Sequence, residues 1–421
     1  MPRAIEVFTP NDVPTFTYVE RSERKFEDRL REAFAIPKMI ISISGPSKSG
    51  KTVLVNKVVE KDNLIPVSGA SIKSANDLWT RVLSWMEGPV SRTERTGTTL
   101  KGDVSAKGGG KVGIPFVIEG KAEGEVKVGG ERERSTEETY TLTGLPQVIK
   151  DIGNSNFTVF VDDFHYIPKD VQKEIGMQIK EAAESGVRIC TASVPHRSDD
   201  VVRSNTELRG RVTAVDTGRW TQRELELIAF RGFQQLNVDV APSVMNRLTA
   251  EAFGSPQLMQ AICLNFCFEN KINETLPTQK RIEMDFVALQ NVLERTSTLT
   301  DFSTMISRLN AGPKLRGHER KEFEFKNGKL GDVYRCVLLA LRADPPLLTL
   351  PYDELLTRTR AVCNGESPSG SSVANTLTHM TELAQTVQEA PVIEWDEDVL
   401  DIVEPYFLFF LRCSPYLDTM T

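Results

Sequence analysis

The chain has 421 residues, 40% hydrophobic and 26% charged, with a formal net charge of -7. That length exceeds one ordinary core and calls for two or three domains. The acidic balance excludes a surface built throughout for nucleic acid, though not a local basic patch.

Residues 1–16 carry prolines and little periodicity, which predicts an N-terminal arm. Met1 to Asn11 lacks the apolar stretch of a secretory signal, and no run in the chain is long enough to span a membrane. The six cysteines form no C-x-x-C pair, and Cys263 and Cys267 read as core thiols one helical turn apart. A cytoplasmic protein is expected. Thr17 to Arg21 is a short extended piece, and Phe26, Leu30 and Phe34 then repeat at helical spacing. Tyr18 and Val19 either offer an apolar surface to an adenine base or pack in the core.

The stretch from Ile40 to Thr52 organises the rest. An apolar, β-branched run leads into Gly45-Pro46-Ser47-Lys48-Ser49-Gly50-Lys51-Thr52, and Val53 continues into a helix. This is G-x-x-x-x-G-K-T in the strand–loop–helix setting of a P-loop. Glycine at 45 and 50 lets the backbone turn tightly around an anion. The loop N–H groups and the helix N-terminus then point at phosphates. Lys51 is expected at the β- and γ-phosphates, and the Thr52 hydroxyl on Mg²⁺. ATP or ADP with Mg²⁺ is therefore the expected ligand.

Residues 53–61 are expected to be the P-loop helix, Leu64 to Val67 the next strand, and Ala75 to Met86 a helix. Between 92 and 138 glycines accumulate, and small or apolar residues alternate with charged ones from Lys121 to Val128. The period is that of strands. It predicts an inserted β-hairpin that contacts a second subunit or a partner, with a mobile linker or a membrane-active hairpin as alternatives. Leu142 to Ile152 reads as a helix.

Phe157 to Val161 has buried-strand character and ends in Asp162 and Asp163. In a parallel α/β sheet, ligands sit at the carboxyl ends of strands. Asp162 is expected to hold the Mg²⁺ hydration shell, and Asp163 to orient or deprotonate an attacking water. Val171 to Ser185 reads as a helix and Val187 to Ser193 as a strand. Thr191 or Ser193 is expected to sense the γ-phosphate. One arginine among Arg197, Arg203, Arg209 and Arg211 is expected to stabilise transition-state charge, in cis or across a subunit boundary. For each taken singly, a surface role is the simpler expectation.

From Trp220 the pattern is helical, and Thr221 with Glu224 forms a capping box. Residues 216–309 are expected to form a helical lid, and 310–330 a linker. The last unit, 331–421, reads as three helices (Asp332 to Arg342, Tyr352 to Val362, Ser371 to Val387) and two short strands (Pro391 to Trp395, Val399 to Val403). That is a winged helix. The third helix has no lysine or arginine, and Glu394, Asp396, Glu397, Asp398 and Asp401 make the wing acidic. Both features oppose DNA phosphate.

Taken in order, Tyr18-Val19-Glu20-Arg21, the P-loop, the Asp162-Asp163 strand, the Thr191 strand, Gly254-Ser255-Pro256 and the winged helix resemble STAND-type P-loop ATPases. They are also similar to the origin-initiator branch of AAA+ ATPases. The likeness spans about residues 15–415 apart from the insert. It implies an α/β P-loop domain over 17–215, a parallel sheet with helices on both faces, followed by the lid and the winged helix. It implies that Pro256 contacts the nucleotide and that the winged helix clamps the ADP state. The pair here is Asp-Asp where AAA+ proteins have Asp-Glu, which implies slow hydrolysis. The function expected is a nucleotide-controlled switch ATPase for partner binding or self-assembly, in a bacterial defence or regulatory system. The alternatives are a DNA-binding initiator or loader and a nucleotide-binding scaffold without turnover.

Overall fold

The protein is described from a computed structural model that places residues 1–86, 144–194, 208, 210–314, 320–388 and 392–420. The expected hairpin at 92–138 and Arg197, Arg203 and Arg209 lie outside the described residues.

Five strands form the central sheet: β1 (Ile40–Ser44), β2 (Leu64–Ser68), β3 (Thr158–Asp162), β4 (Arg188–Ser193) and β5 (Val212–Asp216). Their order is β2-β3-β4-β1-β5, and every neighbouring pair is parallel. A parallel sheet needs cover on both faces, and the central strands β1, β3 and β4 are buried along nearly their whole length. Alternate residues divide between the two faces. Ile40, Val159, Val161 and Ile189 face one core, and Ile41, Ile43, Phe160, Cys190 and Ala192 face the other. Helices α2 (Phe26–Ala35) and α3 (Lys51–Val58) cover the second face. Helices α4 (Ala75–Trp85), α5 (Leu145–Ile152) and α6 (Lys169–Glu184) cover the first. The α/β expectation holds, with element ends shifted by a few residues.

The N-terminal arm is not free. A short helix α1 (Ala4–Val7) docks on the lid: the Ala4 N–H donates to the Asn273 carbonyl at 2.8 Å, and Phe8 meets Phe233 edge to face with centroids 5.1 Å apart. Burial of Ala4, Val7 and Phe8 explains the docking.

The lid holds α7 (Gln222–Gln235), α8 (Pro242–Ala250), α9 (Pro256–Glu269), α10 (Phe286–Ser297) and α11 (Ser303–Ala311). It also carries a two-stranded parallel ribbon, β6 (Val238–Val240) with β7 (Lys280–Ile282), which the helical periodicity concealed. The Thr221–Glu224 capping box is present at the start of α7. Part of the expected linker is a small hairpin, β8 (Phe323–Glu324) with β9 (Leu330–Gly331).

The C-terminal unit runs α12 (Val333–Leu341), β10 (Thr349–Pro351), α13 (Tyr352–Val362), α14 (Gly370–Val387), β11 (Ile393–Trp395) and β12 (Val399–Ile402). Its sheet is antiparallel, in the order β10-β12-β11. Two further helices follow, α15 (Pro405–Cys413) and α16 (Tyr416–Thr419). In α15, Tyr406 through Leu411 are all buried. A helix apolar all round has to be enclosed. Here it lies against α10 of the lid, and one hydrophobic core joins arm, lid and C-terminal unit.

Candidate functional site

β1 ends at Ser44 and the chain turns at once into the loop. The Gly45 N–H donates to the Ser193 carbonyl at 3.2 Å, which ties the loop to the end of β4. A Cβ at Gly45 would come within 1.9 Å of Thr217 Oγ1, so only glycine allows this approach. Lys51 opens α3 and turns back over the loop. Its Nζ donates to the Gly45 carbonyl at 2.8 Å and to the Pro46 carbonyl at 2.9 Å. Burial pulls the Lys51 pKa down, and the charges of Asp162 and Asp163 oppose that shift.

The strand period places Asp162 on the same face as Phe160, the face covered by α3. There its Oδ2 accepts the Thr52 hydroxyl at 2.5 Å, and its Oδ1 accepts the Asp163 N–H at 2.9 Å. Burial raises the Asp162 pKa, the Thr52 hydrogen bond lowers it and the charge of Asp163 adds to the rise. Asp163 takes the left-handed conformation, φ +53°, and turns the chain out of the strand. Gly69, at the end of neighbouring β2, makes room for that turn: a Cβ there would sit 2.3 Å from the Asp163 carbonyl oxygen.

Thr52 Oγ1 and Asp162 Oδ2 are thus two oxygen donors side by side at the foot of the loop. Among the described residues no group of three or more His, Cys, Asp or Glu is placed to hold a metal alone. The pair suits a small hard cation that takes one or two protein oxygens and completes its shell with phosphate and water.

Loop, Asp162 and Asp163 form one wall of a cavity of about 520 Å³. Tyr18 and Val19 form another, and Val19 is at the same time buried in the core shared with the lid. The remaining lining includes arm residues Thr9 to Pro14, Trp220, Pro256 and Glu404. Pro256 is the first residue of α9, and a Cβ at Gly50 would lie 3.8 Å from its ring. Ser255 donates to the Lys48 carbonyl at 3.4 Å, and the Trp220 indole N–H donates to the Ser49 carbonyl at 2.9 Å. The lid therefore grips the loop at two points.

Arg21, part of the Tyr18-Val19-Glu20-Arg21 run, is the hub behind the site. Its guanidinium donates to the Thr217 carbonyl at 2.6 Å, to the Arg219 carbonyl at 3.1 Å and to Glu224 at 2.9 Å. It also lies over the rings of Phe26 and Trp220, at 4.9 and 5.1 Å. It thus fixes the connector from β5 to the lid.

Two expected residues are elsewhere. Thr191 pairs with Ser42 in the interior of β4, fully buried, two residues short of the strand end, and is not part of the cavity wall. The strand ends later than a γ-phosphate contact at Thr191 would need. Arg211 lies just before β5, where its carbonyl accepts the Ile40 N–H at 2.8 Å and its side chain pairs with Glu184. That is the amino end of a parallel sheet, opposite the loop, so Arg211 does not serve this site in cis. No local pattern points to Glu404, which lies 357 positions from the Ser47 hydroxyl it faces.

No protein-family model and no curated protein matches the sequence. Solved structures do. The chain is similar to the Walker-type ATPase PABY2304 of Pyrococcus abyssi, with 12% identity, 94% of this chain and 99% of that one covered, and a TM-score of 0.48. It is also similar to the ORC2 protein of Aeropyrum pernix in its ADPNP–ADP complexes, with 11% identity, coverage of 98% and 97%, and a TM-score of 0.49. A third similar structure is CDC6p from Pyrobaculum aerophilum, with 10% identity, 98% of each chain covered, and a TM-score of 0.43. At such identities and scores these are likenesses of overall arrangement, and the site is judged on its own geometry.

Proposed function

We propose that the chain is an ATP-binding, Mg²⁺-dependent ATPase that works as a nucleotide-controlled switch. The observation that carries this is the meeting of Lys51, Thr52 and Asp162 at the foot of a G-x-x-x-x-G-K-T loop, in a cavity walled by both the α/β domain and the lid. Gly45 to Val53 would bind the phosphates, Tyr18, Val19 and Pro256 the base and sugar. Bound Mg²⁺, held by Thr52 and Asp162, would neutralise charge on the phosphates. Asp163 would orient the attacking water. The Asp-Asp pair and the resemblance to STAND ATPases support slow turnover. The C-terminal order of helix, strand, two helices and two strands supports a winged helix, here packed on the lid. Nucleotide state would then govern binding of a protein partner or of a second copy, in the cytoplasm. No helix among the described residues is long and apolar enough to cross a membrane.

The experiment is a titration of the full chain with ADP and ATP, with and without Mg²⁺, followed by phosphate release. Micromolar binding with slow, Mg²⁺-dependent release is expected. Binding without release would favour the scaffold, and no binding would refute the proposal.

A further inference from the structure

Glu27 lies in the first turn of α2, and its side chain lines the cavity. The residue is only 4% exposed. Its Oε1 accepts the Tyr18 hydroxyl. Its Oε2 is shut away from solvent and has no hydrogen-bond partner among the described residues. A buried acceptor left unpaired is costly, and an ionised carboxylate can only accept. Two more oxygens of the cavity wall are in the same state, Thr9 Oγ1 on the arm and Gln257 Oε1 on α9. The wall thus holds acceptors in want of a donor.

The position of Glu27 tells which part of a nucleotide it meets. Phosphates belong at the N-terminus of α3, where Lys51 and Thr52 stand. Tyr18, which holds Glu27, lies with its ring 5.0 Å from Nζ of Lys57, in the last turn of α3. A ligand anchored by its phosphates at Lys51 therefore brings its nucleoside toward Glu27. A nucleoside carries the donors a carboxylate takes, ribose hydroxyls and an exocyclic base amine. We propose that Glu27 is a specificity-determining residue, its Oε2 accepting an O–H or N–H from the nucleoside half of the ligand. The proposal rests on the nucleotide-binding function above and adds which group of the nucleotide the cavity selects. Ligands that lack the donor leave a carboxylate oxygen buried and unpaired, and are rejected on that account.

The test is calorimetric titration of the full chain with Mg²⁺ and four diphosphates: ADP, 2′-deoxy-ADP, 3′-deoxy-ADP and inosine diphosphate, which has an oxo group in place of the amine. Wild type, Glu27→Gln and Glu27→Ala are compared. In wild type one of the three analogues should bind about ten- to a hundredfold more weakly than ADP. A deoxy analogue assigns the donor to the ribose, and inosine diphosphate assigns it to the base amine. In both variants that analogue and ADP should come within about threefold of each other, through weaker binding of ADP. Wild type that binds all four within about twofold would overturn the proposal and leave nucleotide binding intact. So would a preference that survives unchanged in the variants. A wild-type chain that binds none of the four would overturn the nucleotide-binding function as well. Should neither variant fold, the wild-type series alone decides, since equal affinities exclude a paired donor at Glu27.

Discussion

Arg412 of α15 and Glu251, just past α8 of the lid, meet in a two-pronged salt bridge: Nη2 donates to Oε1 at 2.7 Å and Nε to Oε2 at 2.9 Å. Glu251 is fully buried. Arg247 adds a second cation at 3.0 Å, and Arg412 also reaches Asp344 at 2.6 Å. With the shared apolar core, this joins lid and C-terminal unit into one body. The packing thus divides the chain into two bodies, the α/β domain and everything else, with the connector Thr217 to Trp220 between them.

Glu251→Ala should therefore cost about 3 kcal/mol, because it leaves the buried Arg412 guanidinium with only the exposed Asp344 as a carboxylate partner. Denaturant unfolding measures it. A loss under about 1 kcal/mol would mean the pair behaves as a solvated surface bridge and the two units are not locked.

Lys51→Ala should nearly abolish ATP binding, through loss of charge-assisted contacts worth about 1.5–3 kcal/mol or more. The check is a titration of the folded variant. Wild-type affinity would mean the loop does not hold the phosphates.

Asp162→Asn should weaken Mg²⁺ dependence, since Asp162 shares a hydrogen bond with Thr52. Asp163→Asn should keep ATP binding and slow phosphate release, since its backbone turns it out of the strand. Wild-type turnover in both would sink these assignments.

Acid should loosen the connector. Burial alone would raise the Glu224 pKa, but hydrogen bonds from Arg21 and the Thr221 N–H outweigh it and hold the carboxyl below its ordinary 4.5. A depressed carboxylate contributes stability that is present above its unfolded pKa and lost as pH falls through the folded one. The Arg21–Glu224 contribution should thus persist at pH 5 and above and fade below about 4.5. Thermal unfolding of wild type and Glu224→Gln across that range should converge on acidification. A constant gap would place the contribution elsewhere.

Duplex DNA should bind only weakly. Helix α14 has no lysine or arginine, and β11–β12 with their turn carry Glu394, Asp396, Glu397, Asp398 and Asp401. Sub-micromolar binding at physiological salt, lost on mutation of this unit, would favour the initiator alternative.

Local signals made much of this legible. The P-loop, the apolar strands and the Asp162 turn are each written in fewer than ten consecutive residues. What stayed hidden depends on distant pairing. The docking of Phe8 on Phe233, the burial of α15 on α10 and the approach of Glu404 to Ser47 join residues more than about a hundred positions apart, and no periodicity encodes such contacts. The buried position of Thr191 is hidden for a related reason: a strand's apolar run does not say which residue stands at its end. Only charge singles out Arg211 in the sequence, and the structure places it just before β5, at the amino end of the sheet opposite the loop.

Under the proposed function, nucleotide state should move one body against the other. Spin labels at exposed Lys173, on α6, and Asn375, on α14, span the two bodies. Their distance distribution should be measured with Mg²⁺–ADP and with a slowly hydrolysed Mg²⁺–ATP analogue. A shift between the two, abolished by Lys51→Ala, is predicted. One distribution in both nucleotide states, at saturating binding, would contradict the switch.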